Sequence, residues 1–474
     1  MRSFTRGRGE LALVLHTHMP YVEGFGTWPF GEEWLWEAVA MVYLPLLDLL
    51  EQAQAPVTVG LTPVLCDQLE ASGVGERFPA FLHDVRAPTH ARDIAGCRAS
   101  GALDLVGELE LSAADYRRAA ERFEAIGGDL LGALAAHASW TSAATHAVLP
   151  LVATDAGVRL QAGTGVMAAR ARLPSWNGGF WLPECGHAAW LDPVLADAGA
   201  RSVCVDLTDV HGRGSPAALH PLLGGAGLRL VPLDRQTIEL VWSDRGYPSH
   251  GAYRDYHHHT VHHHCPWAND GAPYDREAAR SLARSHAADF VGRVIARLDT
   301  ARAATGRPGL CVCALDTELL GHWWFEGLEW LSGVLDESVR RGLALARLDE
   351  ALERHEAAEA PDGELPVTTW GTPRTLATWD GPEVADLVWQ ARSAELRVVA
   401  AGERAPARAV RELLALQSSD WAFMVSRRLA GGYPRDRAGR HARNLDAALR
   451  SVGCAPPVLR NLAPVLDTAA LTSP

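Results

Sequence analysis

Gly179-Phe180-Trp181-Leu182-Pro183-Glu184-Cys185-Gly186-His187 sets one acid directly after an aromatic-apolar run. A short apolar run ending in a charged residue reads as a strand buried on both faces, the kind that pairs in parallel sheets. In a barrel, such a strand carries its terminal acid to the C-terminal rim. Gly309-Leu310-Cys311-Val312-Cys313-Ala314-Leu315 delivers a second acid, Asp316, in the same way, and His322, Trp323 and Trp324 follow closely. Two strand-end carboxylates ringed by tryptophan suit retaining glycoside chemistry. One acid attacks, the other shuttles the proton, and indole faces hold sugar.

Further apolar runs at 11–15, 57–61, 202–205 and 228–233 end in polar or turn residues, and helical stretches such as 33–52, 114–126 and 276–303 lie between some of them. Strands alternating with helices predict parallel pairing through crossover helices, hence an α/β barrel or near-barrel. Pro45 should kink the first helical stretch. The segment from Asp67 to about Ala136 reads as helical decoration of the barrel. Between about 210 and 273 the pattern breaks into Gly, Pro, His and Tyr, which predicts an excursion forming one wall of the cleft. After about 350, periodic Ala-, Leu- and Arg-rich segments predict a helical bundle. The expected domains are therefore 1–350, the barrel with its excursion, and 351–474, the helical unit.

Composition narrows the function classes. A formal charge of −13 argues against nucleic acid or an anionic membrane as the main partner, since both require a basic footprint. All 44 basic residues are arginine. The absence of lysine excludes a Schiff-base lysine, a pyridoxal phosphate anchor and a Walker A loop. Eight scattered cysteines without a Cys-x-x-Cys pair fit small core residues in a reducing cytoplasm. The apolar run Leu11–Leu15 is too short for a signal peptide, and no run approaches the ~18–20 apolar residues of a membrane span.

For a lone Glu or Asp the bland reading, a helix cap or an arginine partner, is the better one. The strand-end setting and flanking tryptophans favour the catalytic reading for Glu184 and Asp316. His16 and His18 alternate on a strand end, so both point to one face. His-x-His alone is weak evidence for metal. Tryptophan is also good core filler. Trp34, Trp36 and Trp389 sit in helical patterns and read as core, whereas Trp370 and Trp379 lie in a Gly, Pro and Thr context and read as sugar platforms. The run His257–His264 holds six imidazoles within eight positions. It reads as a solvated loop rather than a metal site, because a site needs fixed geometry and second-shell support.

Taken together, the motifs resemble the glycoside hydrolase family 57 α-glucan enzymes, most closely the branching-enzyme subgroup. They are His16-Thr17-His18-Met19-Pro20-Tyr21, Trp28-Pro29-Phe30-Gly31-Glu32-Glu33-Trp34, Gly60-Leu61-Thr62-Pro63 and Thr141–His146. Gly179–His187, Gly246-Tyr247-Pro248, Leu315–Trp324 and Gln417-Ser418-Ser419-Asp420-Trp421 complete the series across nearly the whole chain. The resemblance implies an incomplete (β/α)7 barrel with a helical C-terminal domain, Glu184 as nucleophile and Asp316 as acid/base. It further implies glucan contacts from Arg235, Trp370, Asp420 and Trp379, and sugar-contacting or nucleophile-supporting roles for His16, His18 and His146. Tyr247, His322, Trp323, Trp324 and Trp421 adjoin these motifs and complete the expected substrate-binding set. No metal and no cofactor are implied, and the expected partner is α-1,4-glucan such as amylose or glycogen.

The chain departs from the family pattern in one place. Only 132 residues (316 − 184) separate the two acids, fewer than expected for this subgroup, and the shortage falls after Tyr256. Ser249 stands where the pattern has glycine. This loop is expected to shield the intermediate and select the acceptor, so its shortening bears on branching rather than on glycosidase chemistry. The expected function is 1,4-α-glucan branching by double displacement. The nearest rivals are a retaining α-amylase and a 4-α-glucanotransferase. A metal-dependent hydrolase of polysaccharide-deacetylase type built on His16 and His18, and a non-catalytic glucan binder, are the rivals from other classes.

Overall fold

The computed structural model describes residues 7–24, 26, 30–54, 56–360, 365–450 and 459–471; Trp28 and Pro29 of the second motif and Cys454 lie outside them. The strands are β1 (Gly9–Thr17), β2 (Thr58–Leu61), β3 (Ala138–Ser142), β4 (Gly179–Trp181), β5 (Ser202–Val205), β6 (Leu222–Leu223), β7 (Arg229–Pro232), β8 (Gly309–Asp316), β9 (Ala344–Leu345) and β10 (Ala358–Glu359). β7-β5-β4-β3-β2-β1-β8 pair in parallel in that order. Between the outer two, the Asp234 N–H donates to the Val312 carbonyl at 2.9 Å, but β7 and β8 form no ladder among the described residues. The seven strands thus make an incomplete (β/α)7 barrel.

Every residue of β1 is buried, as are the first seven of β8. Both strands are covered on both faces, which explains why they read as apolar runs without alternation. Their register pairs His16 with Asp316 at the C-terminal end. The helix Arg276–Thr305 that precedes β8 starts where the Asp275 side chain accepts from the N–H groups of Glu277 and Ala278, and it ends at Gly306 with φ 73°.

Two expectations about organisation need correction. β7 and the helix Arg235–Val241 fall inside the expected excursion, so the irregular wall is confined to about 242–275. Apolar burial of Leu230 and Val231 recruits the earlier part into the sheet. The sheet also extends past 350, since β10 pairs with β6, and the main C-terminal helix begins only at Ala385. Pro45, expected to kink the first helical stretch, lies in continuous helical backbone directly after a turn of π-helix, Val39–Tyr43, the local irregularity that accommodates a residue without an N–H.

The C-terminal helices Ala385–Ala401, Ala407–Leu416, Ser419–Ser426 and Tyr433–Arg450 share a core of Val398, Leu413, Leu414, Trp421 and Leu445 that includes Ala144 and Leu160 from the barrel side. The helical unit is therefore fastened to the barrel by common apolar packing. Among the described residues no helix is long and apolar enough to cross a membrane.

Candidate active site

The chain after β4 turns sharply at Glu184, whose φ of 58° and ψ of 22° are left-handed, and Cys185 follows at φ 49°. His146, in the loop after β3, has φ 60°. A non-glycine residue in this region costs on the order of 1 kcal/mol or more, and such strain collects at functional sites. Main-chain bonds hold the turn. The Glu184 carbonyl accepts from Thr369 Oγ1 at 2.6 Å and from the Trp370 N–H at 3.2 Å.

Both oxygens of the Glu184 carboxylate accept. Ser419 Oγ donates to Oε1 at 3.0 Å and Trp370 Nε1 to Oε2 at 3.3 Å. Burial, then the nearby Asp316 charge, push its pKa up to about 7, against these two donors. Asp316 ends β8, and among the described residues no protein group hydrogen-bonds its carboxyl. Burial and then Glu318 push it up to about 7, opposed by His18.

Glu318 is a third buried acid, also raised to about 7, first by burial. Its Oε1 accepts from Tyr43 Oη at 2.6 Å and from the His18 N–H at 3.1 Å. Gly321, with φ +120°, lets this turn lie against the π-helical turn. A Cβ there would fall 2.4 Å from the Met41 carbonyl oxygen.

The three expected histidines come together. The rings of His16 and His146 stack at 4.9 Å and those of His18 and His146 at 4.1 Å, while His16 also stacks on Trp181 at 4.7 Å. His16 Nε2 lies 2.9 Å from His146 Nε2. His18 Nε2 faces Asp420 at 3.0 Å and its Nδ1 faces Thr62 Oγ1 at 3.2 Å. Burial holds His16 and His146 well below the ordinary histidine value; burial acts on His18 in the same sense, but Asp420, Glu318 and Glu184 together outweigh it and raise that ring. His16 Nε2 and both ring nitrogens of His18 and His146 thus have protein partners, and among the described residues no group of three or more His, Cys, Asp or Glu is arranged to hold a metal ion.

Arg235 pairs with Asp206 and donates to the Trp370 carbonyl at 2.8 Å, which steadies the indole beside Glu184. Trp370 also meets Trp181 edge to face at 5.0 Å. Trp323 is 41% exposed and meets Trp242 edge to face at 5.9 Å. His322 Nε2 lies 3.1 Å from the Tyr256 hydroxyl.

Other expected contacts need correction. Trp324, Trp379 and Trp421 are core residues at 1%, 3% and 1% exposure. Trp379 packs with Val148, Val384 and Ala422, and Trp421 donates its N–H to the Ala415 carbonyl at 2.7 Å. Tyr247 turns toward the helix Arg276–Thr305, stacking on His286 at 4.5 Å and donating to Asp289 at 2.7 Å. It anchors the excursion. Trp389 reverses in the other direction, being 66% exposed rather than core, because its helix turns that face outward.

The histidine run is not a solvated loop throughout. His264 is buried with Nδ1 2.7 Å from Asp93, its ring stacks on His90 at 3.7 Å, and Thr260 also donates to Asp93. Ser419, Thr369, Glu318 and Tyr43 also belong to the site. Ser419 and Glu318 lie inside the motifs Gln417–Trp421 and Leu315–Trp324, whereas Thr369 and Tyr43 carry no local signal.

An incomplete parallel barrel with buried carboxylates at its rim, indoles beside them and a helical unit reaching into its mouth defines a carbohydrate-active hydrolase or transferase. Comparison with known proteins narrows the class. The sequence pattern described as "Glycosyl hydrolase family 57" matches residues 140–361, and that of "1,4-alpha-glucan branching enzyme, C-terminal" matches 384–458. A probable 1,4-alpha-glucan branching enzyme of Mycobacterium tuberculosis is 33% identical over 490 residues, covering 92% of this chain and 90% of the relative. The crystal structure of the family 57 branching enzyme from Pyrococcus horikoshii superposes with a TM-score of 0.85 at 29% identity, covering 92% of this chain and 88% of that one. The α-amylase AmyC from Thermotoga maritima, at TM-score 0.78 and 22% identity over 93% of each chain, shares the fold. The chain belongs to glycosyl hydrolase family 57, in its branching-enzyme group.

Proposed function

We propose that this protein is a 1,4-α-glucan branching enzyme in which Glu184 is the nucleophile and Asp316 the acid/base. Glu184 attacks the anomeric carbon of an α-1,4 bond and forms a glycosyl ester, while Asp316 gives its proton to the departing 4-oxygen. Asp316, now a carboxylate, takes the proton from a glucan 6-hydroxyl. That oxygen displaces Glu184, so the configuration is retained and an α-1,6 branch results. The observation that carries the assignment is the asymmetry of donors. Two hydrogen bonds favour the charged form of Glu184, whereas Asp316 receives none from the described protein groups and faces the acid Glu318.

Trp370, Trp323 and His322 are the proposed sugar contacts, with Asp420 orienting His18 and Arg235 orienting Trp370. The helical unit from about 385 onward completes the cleft. Glycogen is the proposed physiological polymer and the cytoplasm the proposed compartment, consistent with free thiols at all the described cysteines.

Incubation with amylose tests the reading. Isoamylase-sensitive branch points should outnumber new reducing ends. A large excess of reducing ends would mean that water, not a 6-hydroxyl, is the main acceptor.

A further inference from the structure

Ser419 opens the helix Ser419–Ser426 of the C-terminal unit and touches two barrel residues. Its N–H donates to the His146 carbonyl at 3.1 Å, and its Oγ lies 2.9 Å from His146 Nδ1 and 3.0 Å from Glu184 Oε1. His146 Nε2 is in turn 2.9 Å from His16 Nε2. The direction of each bond follows from counting protons. An ionised carboxylate only accepts, so Ser419 gives its one hydrogen to Glu184. Its lone pair then accepts from His146, which fixes that ring's proton on Nδ1. A neutral imidazole has one proton, so His146 Nε2 is an acceptor and the His16 proton lies on Nε2. All three bonds point toward Glu184.

The groups that face Glu184 are Asp316, Asp420 and His18, which act on it through charge, and Trp370, Ser419 and His146, which lie against it. Both donors to its carboxylate, Trp370 and Ser419, come from chain beyond β10. The barrel supplies the acid, and the later segments hold its oxygens.

We infer that Ser419 is a positioning residue: it joins His16 and His146 into one aligned donor chain that fixes Glu184 Oε1, so that attack requires the helical unit to be docked. The inference rests on Glu184 as nucleophile. Chains of hydrogen bonds polarised in one sense strengthen one another, and donors to a carboxylate favour its charged form.

The test compares Ser419→Ala and Ser419→Thr in the full-length enzyme through the pH dependence of kcat/KM on amylose. The alanine variant should lose roughly 10- to 100-fold in kcat/KM, the range for a hydrogen bond to a charged group. Its acidic limb should move to higher pH by about one pH unit, because a donor to the carboxylate is gone. Threonine keeps the hydroxyl and should restore most of the activity and the limb. An alanine variant with the wild-type limb, or a threonine variant no better than alanine at equal melting temperature, overturns the inference. Glu184→Ala with azide separates this from the parent reading. Glycosyl azide formation there alongside an unchanged Ser419→Ala profile sinks only the serine role, whereas near-normal turnover of Glu184→Ala without azide sinks the nucleophile itself.

Discussion

Two histidine clusters with similar composition do different work. His16 and His18 at the end of β1 and His146 in the loop after β3 stand at the barrel mouth, stacked and bonded toward Glu184 and Asp420. The run 257–264 is contiguous in sequence, yet only His264 is buried, and it serves as a clamp between the excursion and Asp93 on the helix Ala87–Ser100. Sequence density therefore misleads. An imidazole becomes part of a reacting site when fixed strands set its partners, whereas adjacent positions on a loop send their side chains to different neighbours.

The comparison is sharpened most at the residue toward which the first cluster points. Glu184→Gln and Asp316→Ala should each reduce turnover on amylose by on the order of 10⁴-fold or more, while retaining the folded circular dichroism spectrum. Near-normal activity in either would break the distinction drawn here. His146→Ala, which cuts the donor chain in the middle, should cost roughly 10- to 100-fold in kcat/KM. His264→Ala should leave turnover on short maltooligosaccharides within about twofold but destabilise the fold by about 1–3 kcal/mol, since Asp93 loses a buried partner. Denaturant unfolding would show this, and an activity loss equal to that of His146→Ala would erase the contrast. His257→Ala and His259→Ala, on exposed positions, should change stability by less than about 0.5 kcal/mol.

pH separates the acids from the clamp. Activity needs Glu184 ionised and Asp316 protonated, and each is pushed up to about 7. The pair therefore titrates as a unit, giving a narrow bell in kcat/KM centred near pH 7. For stability, a carboxyl whose folded pKa is raised binds more protons in the folded than in the unfolded state between about 4.5 and 7. Stability thus falls as pH rises through that window. Glu184→Gln should raise the unfolding free energy at pH 8 by on the order of 1–3 kcal/mol, and the gain should vanish near pH 4. His264 has the opposite sign. Burial, then the neighbouring His90, push its folded pKa below the ordinary histidine value, so its contribution is complete above the unfolded value near 6.5 and is lost as pH falls below it. Differential scanning calorimetry of His264→Asn should show a shallower loss of stability between pH 6.5 and 4 than the parent protein.

Neighbouring tryptophans show how far the chain could be read in advance. Trp323 and Trp324 are adjacent and chemically identical, yet one lies on the rim and the other in the core. Trp379 and Trp389 exchanged their expected places, because helix rotation and the packing of Val148 and Ala422 decide which indole is covered. Tyr247 stood in a recognisable motif and nevertheless turns to Asp289.

What the sequence alone determined is local and periodic: the apolar runs ending in Glu184 and Asp316, the parallel barrel they imply, the helical C-terminal unit, and the choice of residue types suited to glycoside chemistry. Those signals are carried within a few consecutive positions, so they can be read along the chain. Tertiary structure alone decided that Ser419 and Trp370 grip the two oxygens of Glu184 from segments 235 and 186 residues away. It also decided that Glu318 faces Tyr43 and His18, and that the histidine run clamps a helix. Hydrogen-bond direction, burial and charge coupling depend on distances between groups far apart in sequence, which only the folded chain fixes.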